Sequence, residues 1–125
     1  MDYLYQEDTY KIIGCCMEVH KILGKGFNEV VYKDALEIEF KKNKIPYKRE
    51  VGYKIPYKEF ILPHYYSADF VVSEKIILEA KAIESITRSN IKQTLNYLAT
   101  SKLKLGLLVN FGEDSLVYKR IILTQ

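Results

Sequence analysis

The stretch "KIILEAKAIESITRSNIKQTLNYLATSKLKLGLLVNF", residues 75–111, decides the fold. It opens with a strand-like apolar run, "KIILEAKAI", and closes with another, "LGLLVNF". Between them Ile91, Leu95 and Leu98 recur every three to four residues, the spacing of one helix face. Thr87 or Ser89 can cap that helix, which is expected to reach about Lys102. Two strands joined by a helical crossover lie parallel, since a tight turn joins only antiparallel neighbours. Both runs are apolar on both faces, so helices are expected on both sides of the sheet centre.

On the N-terminal side, Ile12, Ile13, Cys16, Met17, His20 and Leu23 follow helical spacing, and Gly24 and Gly26 punctuate the chain after them. Asn28 can cap a second helix running to about Asn43. Pro46 and Pro56 bracket a strand at 47–55, and Pro63 closes a short one at 59–62. A hairpin over 66–72 and 75–82 leads into the crossover, and "SLVYKRIIL" supplies a last strand. The expected order is α-α-β-β-β-β-α-β-β. It describes an α/β open sandwich, with a central mixed β-sheet flanked by helices on both faces. No linker or repeat interrupts the 125 residues, so a single domain over 1–125 is expected.

Hydrophobic residues make up 48% of the chain, enough for a real core and too many for disorder. No apolar run approaches the roughly 20 residues of a membrane span. The start, "MDYLYQEDTY", is acidic and polar, unlike a secretory signal. Cys15 and Cys16 are adjacent, about 100° apart around a helix, and no third cysteine exists to pair with either. A soluble, cytoplasmic protein with no membrane partner is expected.

Three charges break the apolar pattern: Asp69 in "SADFVV", and Glu79 and Lys81 in "IILEAKAI". Bare charges inside core strands are costly, so they call for a purpose. Glu79 and Lys81, two apart on a strand, point to one face. A three-residue turn centred on Glu74 would set Asp69 opposite Glu79, whereas a two-residue turn at Ser73-Glu74 would send it to the other face. Paired carboxylates suit a hard divalent cation such as Mg²⁺. Such an ion polarises a phosphoryl oxygen and activates bound water. A lysine beside it steadies developing charge. Against this, a Glu-x-Lys pair also arises by chance in a chain that is 28% charged.

Other positions carry two readings each. Glu29 heads a stripe with Tyr32 and Leu36 and can serve the site, yet a first-turn Glu also stabilises the helix dipole. Gln93 and Tyr97 share a flank of the third helix with Asn90, either facing substrate or simply solvated. His20 falls on the apolar stripe of the first helix, as a hydrogen-bonded core histidine would. Net charge is +3, but residues 41–58 hold seven basic residues against Glu50 alone. Lys48, Arg49 and Lys54, with interleaved tyrosines, either track a sugar-phosphate backbone or keep an edge hairpin soluble. No glycine-rich phosphate loop and no Ser or Cys nucleophile signature is present.

Taken together, "LGKGFNEVVYKDAL" resembles the signature of the GxxExxY family, with Gly26, Glu29 and Tyr32 at the three defining positions. "IIGCCMEVHKILG", "ADFVV", "ILEAKAI", "QTLNYL", "LGLLVNFG" and "KRIIL" follow in that family's order. The family is similar to the PD-(D/E)XK nuclease superfamily, whose restriction-endonuclease-like fold is the sandwich described above. The resemblance implies that Asp69 and Glu79 bind metal, that Lys81 is the catalytic lysine and that Glu29 is the first-helix acid of the site. It matches Gln93 and Tyr97 to a Gln-x-x-x-Tyr motif found in relatives acting on DNA ends. Ser67 departs from the basic residue often found before the Ala-Asp pair, which removes one phosphate contact.

The resulting expectation is a Mg²⁺- or Mn²⁺-dependent phosphodiesterase acting on nucleic acid, most readily DNA. Asp69, Glu79, Glu29 and the backbone carbonyl of Ala80 would hold the metal, with Lys81 and Gln93 serving the reaction. Gln93, Tyr97, Lys48, Arg49 and Lys54 would meet substrate. A homodimer or a partner protein would help so small a chain enclose a duplex. The competing readings are a non-catalytic nucleic-acid-binding or assembly module on the same fold, and a hydrolase of small phosphoesters.

Overall fold

The computed structural model describes residues 3–124. Its elements are α1 (Gln6–Leu23), α2 (Glu29–Lys42), β1 (Tyr47–Tyr57), β2 (Phe60–Val72), β3 (Ile76–Lys81), α3 (Arg88–Ser101), β4 (Leu105–Asn110) and β5 (Val117–Ile122). The strands form one sheet in the order β1-β2-β3-β4-β5. β3 and β4 are parallel, paired from Ile76–Leu105 to Lys81–Asn110 through α3, and every other pair is antiparallel. The crossover and the mixed sheet are therefore as expected.

Helices cover both faces because both faces of the centre are apolar. On one side Ile12, Cys16, Tyr32, Leu36 and Phe40 of α1 and α2 pack against Phe70, Leu78, Leu107 and Phe111. On the other, Tyr97 and Leu98 of α3 pack against Ala68, Val71, Ile77 and Leu108. A Cβ at Gly106 would lie 2.6 Å from Thr94 Cγ2, so the bare backbone of β4 lets α3 seat closely. Of the two expected caps for α3, Thr87 is the one used. Its hydroxyl accepts from Asn90 N–H at 3.2 Å, and Asn90 Oδ1 accepts from Thr87 N–H at 2.8 Å. Asn90 is thus committed to the cap.

Asn28 precedes α2 but makes no side-chain capping bond. The entry is held instead by Tyr32, whose hydroxyl donates to Gly24 carbonyl at 2.6 Å and accepts from Phe27 N–H at 3.3 Å. Gly24 (φ 68) and Gly26 (φ 113) supply the left-handed turns that bring this loop back over Tyr32.

One element differs from expectation. The strands anticipated at 59–62 and 66–72 are a single long strand, β2. Pro63 does not stop it, because pairing with β1 is irregular there: the register shifts between Lys54–Tyr65 and Pro56–Ile61. β3 runs beside β2 only from Phe70 to Val72, so no ladder bond is lost to the missing N–H. The outer parts of β1 and β2 form a two-stranded arm, with Tyr57, Phe60, Ile61 and Tyr65 exposed.

Both arm strands turn over where they enter the sheet. Tyr47 of β1 packs on the α1/α2 side, while Val51 and Tyr53 pack on the α3 side. In β2, Phe70 and Val72 face α1/α2, while Ala68 and Tyr66 face α3. A regular strand keeps such residues on one face. The reversal falls between the Arg49–Phe70 and Val51–Ala68 pairs, at Glu50 (φ 55) and Asp69.

Candidate active site

The turn between β2 and β3 sets the site. Val72 pairs with Ile76, so Ser73, Glu74 and Lys75 make a three-residue turn, with Ser73 (φ 53) and Glu74 (φ 60) left-handed. Of the two registers open to the sequence, this one sets Asp69 opposite Glu79. The regular ladder stops at Phe70–Leu78. Beyond it the carboxylates take over: Asp69 N–H donates to Glu79 Oε2 at 2.8 Å, and Ala80 N–H donates to Asp69 Oδ2 at 2.8 Å. The turnover at Asp69 makes this possible by aiming its side chain into the gap between the strands rather than onto either face.

A strand residue directs its N–H and C=O to the same side, and successive residues alternate. Lys81 carbonyl accepts from Phe111 N–H on the β4 side, whereas Ala80 N–H points to β2. The Ala80 carbonyl is thus directed into the gap beside the two carboxylates.

Glu79 is 3% exposed. Burial first, and then the neighbouring Asp69 charge, push its carboxyl up to about 8, against the Asp69 N–H bond and the charges of Lys81 and Lys33. Burial makes the charged form of Glu79 costly here, and a cation bound beside it would offset that cost. Two carboxylates and a carbonyl are hard oxygen donors, and this donor set fits a divalent cation such as Mg²⁺ or Mn²⁺. Lys81 projects on the same face as Glu79 and is half-buried. It makes no ion pair among the described residues, which leaves its ammonium available.

The expected meeting of three carboxylates is not found. Among the described residues no three His, Cys, Asp or Glu side chains are grouped so as to hold a metal ion. Glu29 opens α2 and is half-buried. The α2 residue that touches the pair is Lys33, one turn later on the same flank. Its ammonium donates to Asp69 Oδ1 at 3.2 Å and to Glu50 Oε1 at 2.7 Å. Sequence reasoning missed both Lys33 and Glu50. The i,i+4 spacing from Glu29 was a usable signal for Lys33. Nothing in the sequence marked the reversal at Glu50.

On α3, Tyr97 is buried and meets Tyr66 edge-on, with ring centroids 5.2 Å apart. Burial, followed by the charges of Glu79 and Asp69, pushes its hydroxyl up to about 12, so Tyr97 lies within the field of the pair. Gln93 is exposed one turn earlier on the same flank.

The basic strip does not form one track. Arg49 Nη1 binds Asp34 at 2.7 Å and Glu37 at 2.6 Å, and its guanidinium lies 5.9 Å over the Phe70 ring. It ties β1 to α2, contrary to its expected place at substrate. Lys48 and Lys54 are exposed, but the turnover at Glu50 puts them on opposite faces. His20 is buried, with Nε2 2.9 Å from the Glu113 carbonyl, as expected of a core histidine. A large groove along α1, lined by Glu7, Asp8 and Tyr10 among others, shares no residue with the Asp69–Glu79 gap. Among the described residues no helix is long and apolar enough to cross a membrane.

Among curated proteins, none matches the chain's sequence. Solved structures share its fold, the following two among them. The crystal structure of SSO0001 superposes with a TM-score of 0.60 at 20% identity, over 76% of this chain and 50% of its own. The chain thus spans about half the length of that relative. An alkaline exonuclease (LHK-Exo) from Laribacter hongkongensis superposes with a TM-score of 0.56 at 14% identity, over 99% of this chain and 73% of its own. The family model of the PD-(D/E)XK nuclease superfamily matches residues 6–121. With nearly its whole length matched and an acidic pair and a lysine where two strands part, the chain belongs to the PD-(D/E)XK nuclease superfamily.

Proposed function

We propose that this chain is a GxxExxY-type nuclease that hydrolyses phosphodiester bonds in nucleic acid, DNA in the first place, with Mg²⁺ or Mn²⁺. The observation that carries the reading is the reciprocal bonding of Asp69 and Glu79 across the parted strands, with Lys81 beside them in no ion pair among the described residues. Simple structural strands would close this gap with backbone bonds rather than bury two carboxylates. Asp69, Glu79 and the Ala80 carbonyl would hold the cation, and Glu29 would reach it through water. The bound ion would polarise the phosphoryl group and lower the pKa of the attacking water.

The chain's own residues do the rest. Lys81 donates hydrogen bonds to the attacking water and to a non-bridging phosphate oxygen, offsetting the charge that develops there. The water oxygen bonds to phosphorus and gives up a proton to solvent as the bond to the leaving sugar oxygen breaks, and that oxygen takes a proton from solvent in turn. Gln93 and Tyr97 approach the phosphate from α3. Lys48, in the body of the sheet, and Lys54, on the arm, meet backbone phosphates from opposite faces. The two buried free thiols, Cys15 and Cys16, suit a reducing, cytoplasmic setting.

A substrate panel tests this reading. Linear duplex, nicked duplex, single-stranded DNA, RNA and a mononucleotide ester are each incubated with Mg²⁺ or Mn²⁺. Cleavage of at least one polymer, lost in EDTA, is expected. Turnover of the mononucleotide ester alone would point to a small-phosphoester hydrolase, and no turnover at all to a binding module.

A further inference from the structure

Lys33 bridges two carboxylates, Glu50 on the β1 turnover and Asp69 of the acidic pair. Its side chain is 13% exposed, as buried as that of Asp69 at 14%, and it crosses from α2 to the parted strands. Asp69 Oδ2 already accepts from Ala80 N–H, which leaves Oδ1 the more open oxygen for an incoming cation. The Lys33 ammonium sits on that oxygen at 3.2 Å. Its shorter contact, 2.7 Å, is to Glu50, whose side chain is 49% exposed. Glu50 adopts a left-handed backbone (φ 55), a strained conformation for a non-glycine residue. That conformation is where β1 turns over, and the Glu50 carboxylate meets Lys33 there.

An ammonium and a divalent cation repel each other and so compete for one carboxylate oxygen. Two buried carboxylates without any cation would also strain the metal-free fold. We propose that Lys33 is the resident counter-cation of the site. It holds Asp69 Oδ1 while no divalent cation is bound, and it rests on Glu50 alone once one takes that oxygen. The inference rests on the reading of Asp69 and Glu79 as metal ligands.

The test is a Mn²⁺ titration of the full chain, counting free Mn²⁺ by electron paramagnetic resonance, with thermal melts in EDTA alongside. Lys33→Gln is expected to bind Mn²⁺ about tenfold tighter than wild type, because a competing charge is gone. Its melt in EDTA should fall by a few degrees, about the effect of one lost buried partner. Lys33→Arg keeps the charge and should bind no tighter than wild type. In wild type itself, reductive methylation followed by mass spectrometry should label Lys33 several-fold faster in Mg²⁺ than in EDTA; this readout needs no variant to fold. Equal Mn²⁺ affinity in wild type and Lys33→Gln, or labelling indifferent to Mg²⁺, overturns the role of Lys33 and leaves the metal site standing. If neither protein binds Mn²⁺, the metal site itself falls, and this inference with it.

Discussion

Asp69 and Glu79 each cap the other strand, the Glu79 carboxylate taking Asp69 N–H and the Asp69 carboxylate taking Ala80 N–H, both at 2.8 Å. This exchange lets β2 and β3 part without orphaning the donors that the ladder would have satisfied. It also holds two acidic side chains together in a place that is mostly dry, at a cost to the charged form of Glu79. The consequences for stability and for chemistry can be separated by choosing the substitution.

Glu79→Gln should stabilise the metal-free protein at alkaline pH. Burial raises the Glu79 carboxyl from 4.5 to about 8 in the fold, so the unfolded chain gives up this proton first. The stability that the protonated form contributes is whole below pH 4.5 and is lost as pH rises towards 8. Gln retains an oxygen for Asp69 N–H and carries no charge. Denaturant melts in EDTA should therefore show the variant more stable by about 1–3 kcal/mol at pH 8, with a flatter pH profile. The same slope in both proteins would contradict this.

Tyr32 and Glu29, one turn apart on α2, are expected to do different work under the proposed function. Tyr32→Phe removes the hydroxyl that holds Gly24 carbonyl and Phe27 N–H, and should cost about 1–2 kcal/mol, read as a lower melting temperature. Glu29→Gln touches none of these bonds. Its melt should match wild type within about 0.5 kcal/mol, while cleavage falls at least tenfold. An unchanged cleavage rate would remove Glu29 from the site.

Arg49→Ala should behave as a structural change. It deletes the two ion pairs to Asp34 and Glu37, on an Arg side chain that is 21% exposed, and the packing over Phe70. A loss of about 1–2 kcal/mol is expected, since the pairs are partly screened. The salt dependence of DNA binding should stay as in wild type. For Lys54→Ala the pattern reverses, with unchanged stability and a salt slope shallower by about one. A shallower slope for Arg49→Ala would return it to the substrate surface.

The crossover was legible because Ile76–Lys81 and Leu105–Asn110 lack alternation and flank a capped helix of the right length. The facing of Asp69 and Glu79 was legible up to one ambiguity, the length of the turn. That ambiguity is physical: Ser73 and Glu74 adopt positive φ without glycine or asparagine to announce it. Pro63 was read as a stop because it lacks a donor. The structure places it where β2 has no regular partner, so nothing is lost. Lys33 escaped notice because its role depends on Asp69 leaving the face of the sheet. That turnover comes from a left-handed Glu50, a conformation no local pattern favours. The same turnover divides Lys48 from Lys54, which the residue spacing alone put on one strip.

Under the proposed function, the Asp69–Glu79 gap with Lys81 cleaves phosphodiesters with a divalent cation. Its most direct test measures cleavage of linear duplex DNA in Mg²⁺ and in Mn²⁺ by wild type, Asp69→Asn and Lys81→Ala, each first shown by melting to be folded. Wild type should cut, EDTA should stop it, and each variant should be slower by about 100-fold or more. Cutting that persists in EDTA, or at wild-type rate in either variant, would contradict the account.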